Sequence, residues 1–193
     1  AAGRDANGVK NVLDVMQKVG HENVLVIISA MGKTTNAMEL VIKNYFENRA
    51  ELQSALQDVK KFHNQILLDL FDNERHPVFE HVKNLFTELG TFLKVNKSPD
   101  YNFVYDQTIG YGELLSTTII SYYLNEIGLK NNWLDVRNYI KTDSNYRDAK
   151  VNWTLTQQII TKKVAMHQLN VTQGFLAGND TENTTTLGRE GSD

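Results

Sequence analysis

The amino-acid sequence predicts an α/β fold: a three-layer αβα sandwich built on a mainly parallel sheet and carrying a helical insertion. Three observations lead there. Val24-Leu25-Val26-Ile27-Ile28 is a continuous, β-branched apolar run; apolar residues recur at helical spacing on both sides of it; and strand-like and helix-like stretches alternate again after residue 130.

Taken in order, Val9, Val12, Leu13, Met16 and Val19 mark an amphipathic helix that stops at Gly20, a glycine cap. The Val24 to Ile28 strand comes next, and its unbroken apolar character is that of a strand buried on both faces. From Asn36 to about Phe71 the pattern is one helical run, with Leu52, Leu56, Val59, Phe62 and Ile66 on a single stripe. His76-Pro77 interrupts it, Val78 to about Leu93 is helical again, and Asn96 to Asp100 has loop composition. Gly110-Tyr111-Gly112 opens a further helix ending near Gly128, the glycines marking a tight turn or a close approach. The insertion thus spans 36–129. Trp133 to Ile140 reads as a strand, Trp153 to about Met166 as a helix, Leu169 to Thr172 as a strand, and 178–193 as a long loop or hairpin.

With 193 residues and 41% hydrophobic content, the chain is one domain or a large piece of one. Its 20 basic and 23 acidic side chains are interspersed, so no single-sign field points to nucleic acid or to an acidic membrane. The absence of cysteine excludes a disulfide framework, a thiolate metal site and a thiol nucleophile, and fits a reducing cytoplasm. The longest apolar run, Val24 to Ile28, falls far short of the roughly 20 residues a bilayer requires. His21, His63, His76, His81 and His167 show no ligand spacing, so no metal site is expected from them.

Three stretches hold candidate chemistry. Ser29 to Asn36 is small and polar between a strand and a helix, where ligands of open α/β sheets bind; equally, Thr34, Thr35 or Asn36 could simply cap that helix. Gly32-Lys33-Thr34 is not a P-loop, because Ile27 stands where its first glycine belongs. Glu113 comes after two glycines at a helix start, where it either serves the helix dipole or holds a ligand ammonium. Thr184 to Asp193 places Gly188 and Gly191 about Arg189, a backbone able to bend round an anion that the guanidinium forks onto; a solvated hairpin loop has the same composition.

Together and in this order, these stretches resemble the aspartate kinases of the amino-acid kinase superfamily. Val26 to Asn36 is similar to the family's V-S-A-M…T-N element, Gly112-Glu113-Leu114-Leu115-Ser116 to G-E-x-x-S, Thr172-Gln173-Gly174-Phe175 to T-Q-G-F, and Thr184 to Asp193 to T-T-T-L-G-R-G-G-S-D; Asp135-Val136-Arg137 and Thr142 to Ala149 also match. The resemblance runs from about Val9 to Asp193 and is most specific in the last decapeptide. It implies that Thr35, Glu113, Arg189 and Ser192 line an aspartate site with Phe175 as a wall, and that Asp193 is the catalytic aspartate that organises the reacting groups. It also implies ATP and Mg2+ as cofactors, L-aspartate as partner, a homo-oligomer, and γ-phosphoryl transfer to the β-carboxylate of aspartate, most like the single-function lysine-branch type. Kinases of glutamate, acetylglutamate or UMP, and a non-catalytic sensor of aspartate or a nucleotide, are the rival readings.

Glu190 departs from the family pattern by replacing a glycine beside Arg189, and Asn183 by replacing a hairpin glycine. The family's Lys-Phe-Gly-Gly-Thr-Ser element, ATP-binding half and ACT domains find no match within residues 1–193, as expected of a fragment or part of a longer protein. The expectation is therefore a portion of a kinase domain that is inactive alone and associates through the Val24 to Ile28 edge.

Overall fold

Asp5 starts the first helix: its side chain accepts the Gly8 N–H at 2.9 Å, and α1 (Ala6–Val19) runs until Gly20 turns the chain at φ 87°. The computed structural model describes residues 5–164 and 168–188, apart from the Val19 side chain. After β1 (Val24–Ile28) come five helices: α2 (Thr34–Glu47), α3 (Leu52–Leu70), α4 (Pro77–Val95), α5 (Tyr101–Ile109) and α6 (Tyr111–Glu126). The chain then returns through β2 (Asn132–Leu134), a 3₁₀ turn at Val136–Asn138, α7 (Trp153–Lys163), β3 (Leu169–Gln173), β4 (Leu176–Gly178) and β5 (Thr184–Thr186).

β3 is the middle strand, with β1 and β2 parallel to it on either side; Val26 faces Val171 and Leu134 faces Thr172 in register. β4 and β5 form a separate antiparallel hairpin. Two apolar cores divide the work. One joins the sheet to α1, α4 and α6 through Val9, Met16, Val82, Val171, Leu115 and Ile119; the other lies among the inserted helices around Met38, Ile42, Val59, Leu89 and Ile109. Tyr111 and Phe175 touch both.

The structure departs from the sequence reading in four places. The helical run after Asn36 is two helices, because the chain leaves helical geometry at Asn48 (φ −147°, ψ 74°) and turns through a Glu51 N–H to Asn48 C=O bond, letting α3 fold back onto α2. Tyr101–Ile109 is a helix of its own, begun by Asp100, whose side chain accepts the Asn102 and Phe103 N–H groups. The strand at Trp133 stops at Leu134, because Asp135 accepts the Arg137 N–H and Gln173 takes the Val136 N–H that a longer ladder would have used. Finally, β1 is buried on one face only. Leu25 and Ile27 are 51% and 53% exposed and line a groove of about 280 Å³ shared with Trp153 and Ile160 of α7, so the layer on that side covers the sheet incompletely. Among the described residues β1 is also an edge strand.

The hairpin is tied to the chain after β2. Gly178 donates its N–H to Ile140 C=O and accepts from Thr142 N–H, both at 3.0 Å, and a Cβ at Gly178 would run into the Arg137 carbonyl oxygen. Gly178→Ala is therefore expected to cost about 3 kcal/mol and lower Tm by roughly 6–12 °C, since backbone, not a flexible side chain, must yield. Calorimetry checks this, and an unchanged Tm would contradict the close approach.

Candidate active site at the carboxyl ends of the strands

β1 and β3 end side by side, with Ile28 paired to Gln173, and the contact continues past the sheet as the Gly174 N–H donates to Ile28 C=O at 3.1 Å. Phe175 is next, at φ 66°, a left-handed conformation that costs an aromatic residue about 1–2 kcal/mol and holds here because its carbonyl accepts the Leu187 N–H at 3.0 Å. That bond brings the exit of β5 to the same end of the sheet. Phe175 itself is half-buried.

α6 meets this end from the other side. Gly112 permits the approach: a Cβ there would stand 3.0 Å from the Ala30 Cβ and 3.4 Å from the Thr34 Cγ2. The next residue, Glu113, is 5% exposed, and its Oε1 accepts the Ala30 N–H at 3.3 Å. Burial pushes its carboxyl pKa up to about 7, against the pull of the backbone N–H groups of Glu113 and Ala30. The first-turn position favours the charged form, and desolvation outweighs it.

α2 begins at the same place without a side-chain cap. Lys33 is the capping residue, so Thr34, Thr35 and Asn36 lie inside the first turn and none of them caps it. Among the described residues the buried Thr34 Oγ1 has no hydrogen-bond partner, while Thr35 is exposed. An uncapped helix start with a free hydroxyl suits an anion.

The structure thus gathers Glu113, the start of α2 that carries Thr35, and the Gly174-Phe175 turn at one end of the sheet. Arg189, Ser192 and Asp193, with Glu190, lie outside the described residues. Gly188 immediately precedes Arg189 in the chain and is the last residue described.

Sequence reasoning overlooked the side chains that hold this end together. Thr117, one turn after Glu113, donates its hydroxyl to the Glu113 carbonyl at 2.8 Å and accepts from Trp133 Nε1 at 2.9 Å and Gln173 Nε2 at 2.8 Å. Gln173 accepts the Val136 N–H at 2.8 Å through its other amide atom, so one buried side chain links α6, β3 and the chain after β2. Arg137 is committed elsewhere: it forks onto Asp135 at 2.8 and 2.6 Å and donates to Thr184 Oγ1 at 3.1 Å. Burial opposes its charge, and the Asp135 carboxylate outweighs burial, holding its pKa above the usual arginine value. The T-Q-G-F and D-V-R motifs contained Gln173 and Arg137, but motif matching assigns neither a partner.

A parallel sheet with polar loops and a helix start at its strand ends defines an α/β protein of the kind that binds ligands there. The chain belongs to the amino acid kinase family, whose model matches residues 1–193. It is similar to the chloroplastic bifunctional aspartokinase/homoserine dehydrogenase 2 of Arabidopsis thaliana, 28% identical over 196 residues, which are 96% of this chain and 21% of that protein. The fold is that of the crystal structure of E. coli aspartokinase III with lysine and aspartate (T-state), at TM-score 0.87 and 22% identity, covering 100% of this chain and 43% of that one. The same enzyme with aspartate and ADP (R-state) superposes at TM-score 0.84 and 23% identity over 98% of this chain and 42% of the other. The chain thus spans about a fifth of that relative's length and less than half of each solved structure.

Because the folded state raises the Glu113 pKa from 4.5 to about 7, it holds this proton more tightly than the unfolded chain does. The carboxyl therefore costs nothing below about pH 4.5, costs more as pH rises toward 7, and above that costs on the order of 3 kcal/mol. Glu113→Gln is expected to raise Tm at pH 8 and to leave it nearly unchanged at pH 4.5. Equal shifts at both pH values would contradict the burial argument.

Proposed function

We propose that this chain forms the aspartate-binding part of an ATP-dependent aspartate kinase, which transfers the γ-phosphoryl group of MgATP to the β-carboxylate of L-aspartate. The observation that carries the reading is the desolvated Glu113 carboxyl beside Ala30, at the strand ends and next to an uncapped helix start. A buried acid balanced near pH 7 has a strong reason to pair with a cation, and the α-ammonium of an amino acid supplies one. The family membership, and an ADP- and aspartate-bound neighbour with the same fold, point the same way.

In this assignment Glu113 holds the ammonium, Thr35 contributes a hydroxyl from the first turn of α2, and Phe175 walls the pocket. Arg189 forks onto a substrate carboxylate, Ser192 completes its hydrogen bonds, and Asp193 orients the reacting groups. The uncapped start of α2, with Lys33 and the Thr34 hydroxyl, suits the negative charge that gathers on the transferred phosphoryl group. Such a transfer asks the protein for positioning and charge stabilisation and needs no side-chain nucleophile. Among the described residues no group of three His, Cys, Asp or Glu side chains would hold the magnesium ion that accompanies ATP.

Titration of the intact enzyme with aspartate checks the assignment. Arg189→Ala is expected to cost about 2–4 kcal/mol of aspartate binding, because a charge-assisted fork is lost and a carboxylate left unpaired. An unchanged affinity would remove Arg189 from the site. For Glu113 the readout is pH. The ammonium binds the ionised carboxylate, so aspartate affinity should rise between about pH 5.5 and 7.5, whereas succinate, which lacks the ammonium, should not share that rise. Glu113→Gln should abolish the difference, and a parallel pH profile for the two ligands would sink the ammonium contact.

A further inference from the structure

We propose that Asp106 is a positioning residue for substrate binding: from α5 it fixes the register of β5 and of the loop beside it, the segment that leads in sequence to Arg189. The inference rests on Arg189 being a substrate ligand.

Asp106 is fully buried. Its Oδ2 accepts the Arg147 N–H and the Thr186 N–H, each at 2.9 Å, and its Oδ1 accepts the Thr186 hydroxyl at 2.8 Å. One carboxylate thus joins two segments that lie 41 and 80 residues away in sequence. Hydrogen bonds to an ionised acceptor are the strong kind, and here each donor is a group that would otherwise be left unpaired. Gln107 completes the grip from the next position on α5. Its Nε2 donates to Thr184 C=O at 2.8 Å, and its Oε1 accepts the Thr184 N–H at 3.0 Å. Residues 184 and 186 point the same way from β5, and a slip by one residue would break both sets of bonds.

The loop held by the same carboxylate also guides the exit of β5. Arg147 sits at φ 70°, its N–H on Asp106 and its guanidinium over the Tyr105 ring at 4.4 Å. Ala149 N–H donates to Thr186 C=O at 3.0 Å. Gly188 then passes directly along this loop: a Cβ there would lie 3.5 Å from Asp148 Oδ1 and 3.7 Å from Arg147 C=O. From Thr186 to Gly188 the strand is aligned by the carboxylate and by the strained loop that the carboxylate pins, and the next residue is Arg189. Burial pushes the Asp106 pKa up, and the Arg147 and Thr186 donors work against it.

Five variants of the intact enzyme test this: Asp106→Ala, Asp106→Asn, Thr186→Val, Arg189→Ala and the Asp106→Ala, Arg189→Ala double variant. KM for aspartate and for ATP is measured for each, together with amide hydrogen exchange at 184–188. Asp106→Ala is expected to raise the aspartate KM roughly tenfold to hundredfold, to leave the ATP KM within about twofold, and to accelerate exchange at 184–188. Asp106→Asn should stay within about threefold of the parent, because an amide oxygen can still accept both N–H groups while its NH₂ turns to the Thr186 hydroxyl. In an Arg189→Ala background, Asp106→Ala should add less than about threefold. An unchanged aspartate KM in Asp106→Ala, equal rises for aspartate and ATP, or full additivity with Arg189→Ala would each overturn the proposal. Should Asp106→Ala not fold, Thr186→Val decides: it keeps the carboxylate and both backbone bonds, and a rise of about fivefold in aspartate KM alone supports the proposal, where a change within about threefold overturns it. If Arg189→Ala itself leaves the aspartate KM unchanged, the ligand assignment falls and this inference with it. If Arg189→Ala loses aspartate while Asp106→Ala does not, only the Asp106 role falls.

Discussion

Because α6 is enclosed on nearly every side, most of its polar side chains find partners inside the protein, Thr118 lacking one among the described residues, and the carboxyl end of the sheet is organised by how they do so. Gly112 to Ser121 are all buried, an arrangement more usual for a wholly apolar helix. Ser116 and Thr117 turn their hydroxyls back to the Glu113 carbonyl, and Thr117 also receives Trp133 and Gln173. Each bond adds about 1 kcal/mol net, but leaving such a group unpaired costs about 1–3 kcal/mol, so alternatives to this arrangement are penalised more than the arrangement itself is rewarded. The helix therefore cannot rotate to expose Glu113, and the acid stays desolvated.

The other segments at the strand ends are set by different means. The β1–α2 loop is located by contact, through the space left at Gly112, and the Gly174-Phe175 turn by backbone bonds to Ile28 and Leu187. The hairpin is located by side chains of α5 and by the backbone bonds of Gly178 to Ile140 and Thr142. Groups far apart in sequence thus come to one end of the sheet on supports that differ in kind but are linked, since Leu187 N–H joins the hairpin exit to Phe175 and Ala30 N–H joins the β1–α2 loop to Glu113.

Short motifs singled out Glu113 and Phe175, which the fold places at the same end of the sheet, and β1, α1, α4 and β3 were legible because their apolar patterns are strong. What escaped the sequence depended on tertiary partners. α5 is nine residues long and buries Asp106 and Thr108, so it lacks the apolar stripe by which a helix is recognised. The break at Asn48 contains neither glycine nor proline. β2 is short because Gln173 reaches back across 37 positions to claim the Val136 N–H, and nothing local announces that. β1 was read as buried on both faces because composition records which residues are apolar and not how much of a layer covers them; Leu25 and Ile27 show the difference.

The exchange of two hydrogen bonds between Gln107 and Thr184 lets a side-chain amide act as a neighbouring strand would. Farther out, Asn179 is buried and ties off the hairpin by itself, accepting from the Thr181 and Asn183 N–H groups and reaching Ser144. Between these two closures, Asp180, Thr181 and Glu182 stand in solvent. The hairpin therefore has an anchored base and a spare tip, and evolution is free to lengthen or redecorate that tip without disturbing the base.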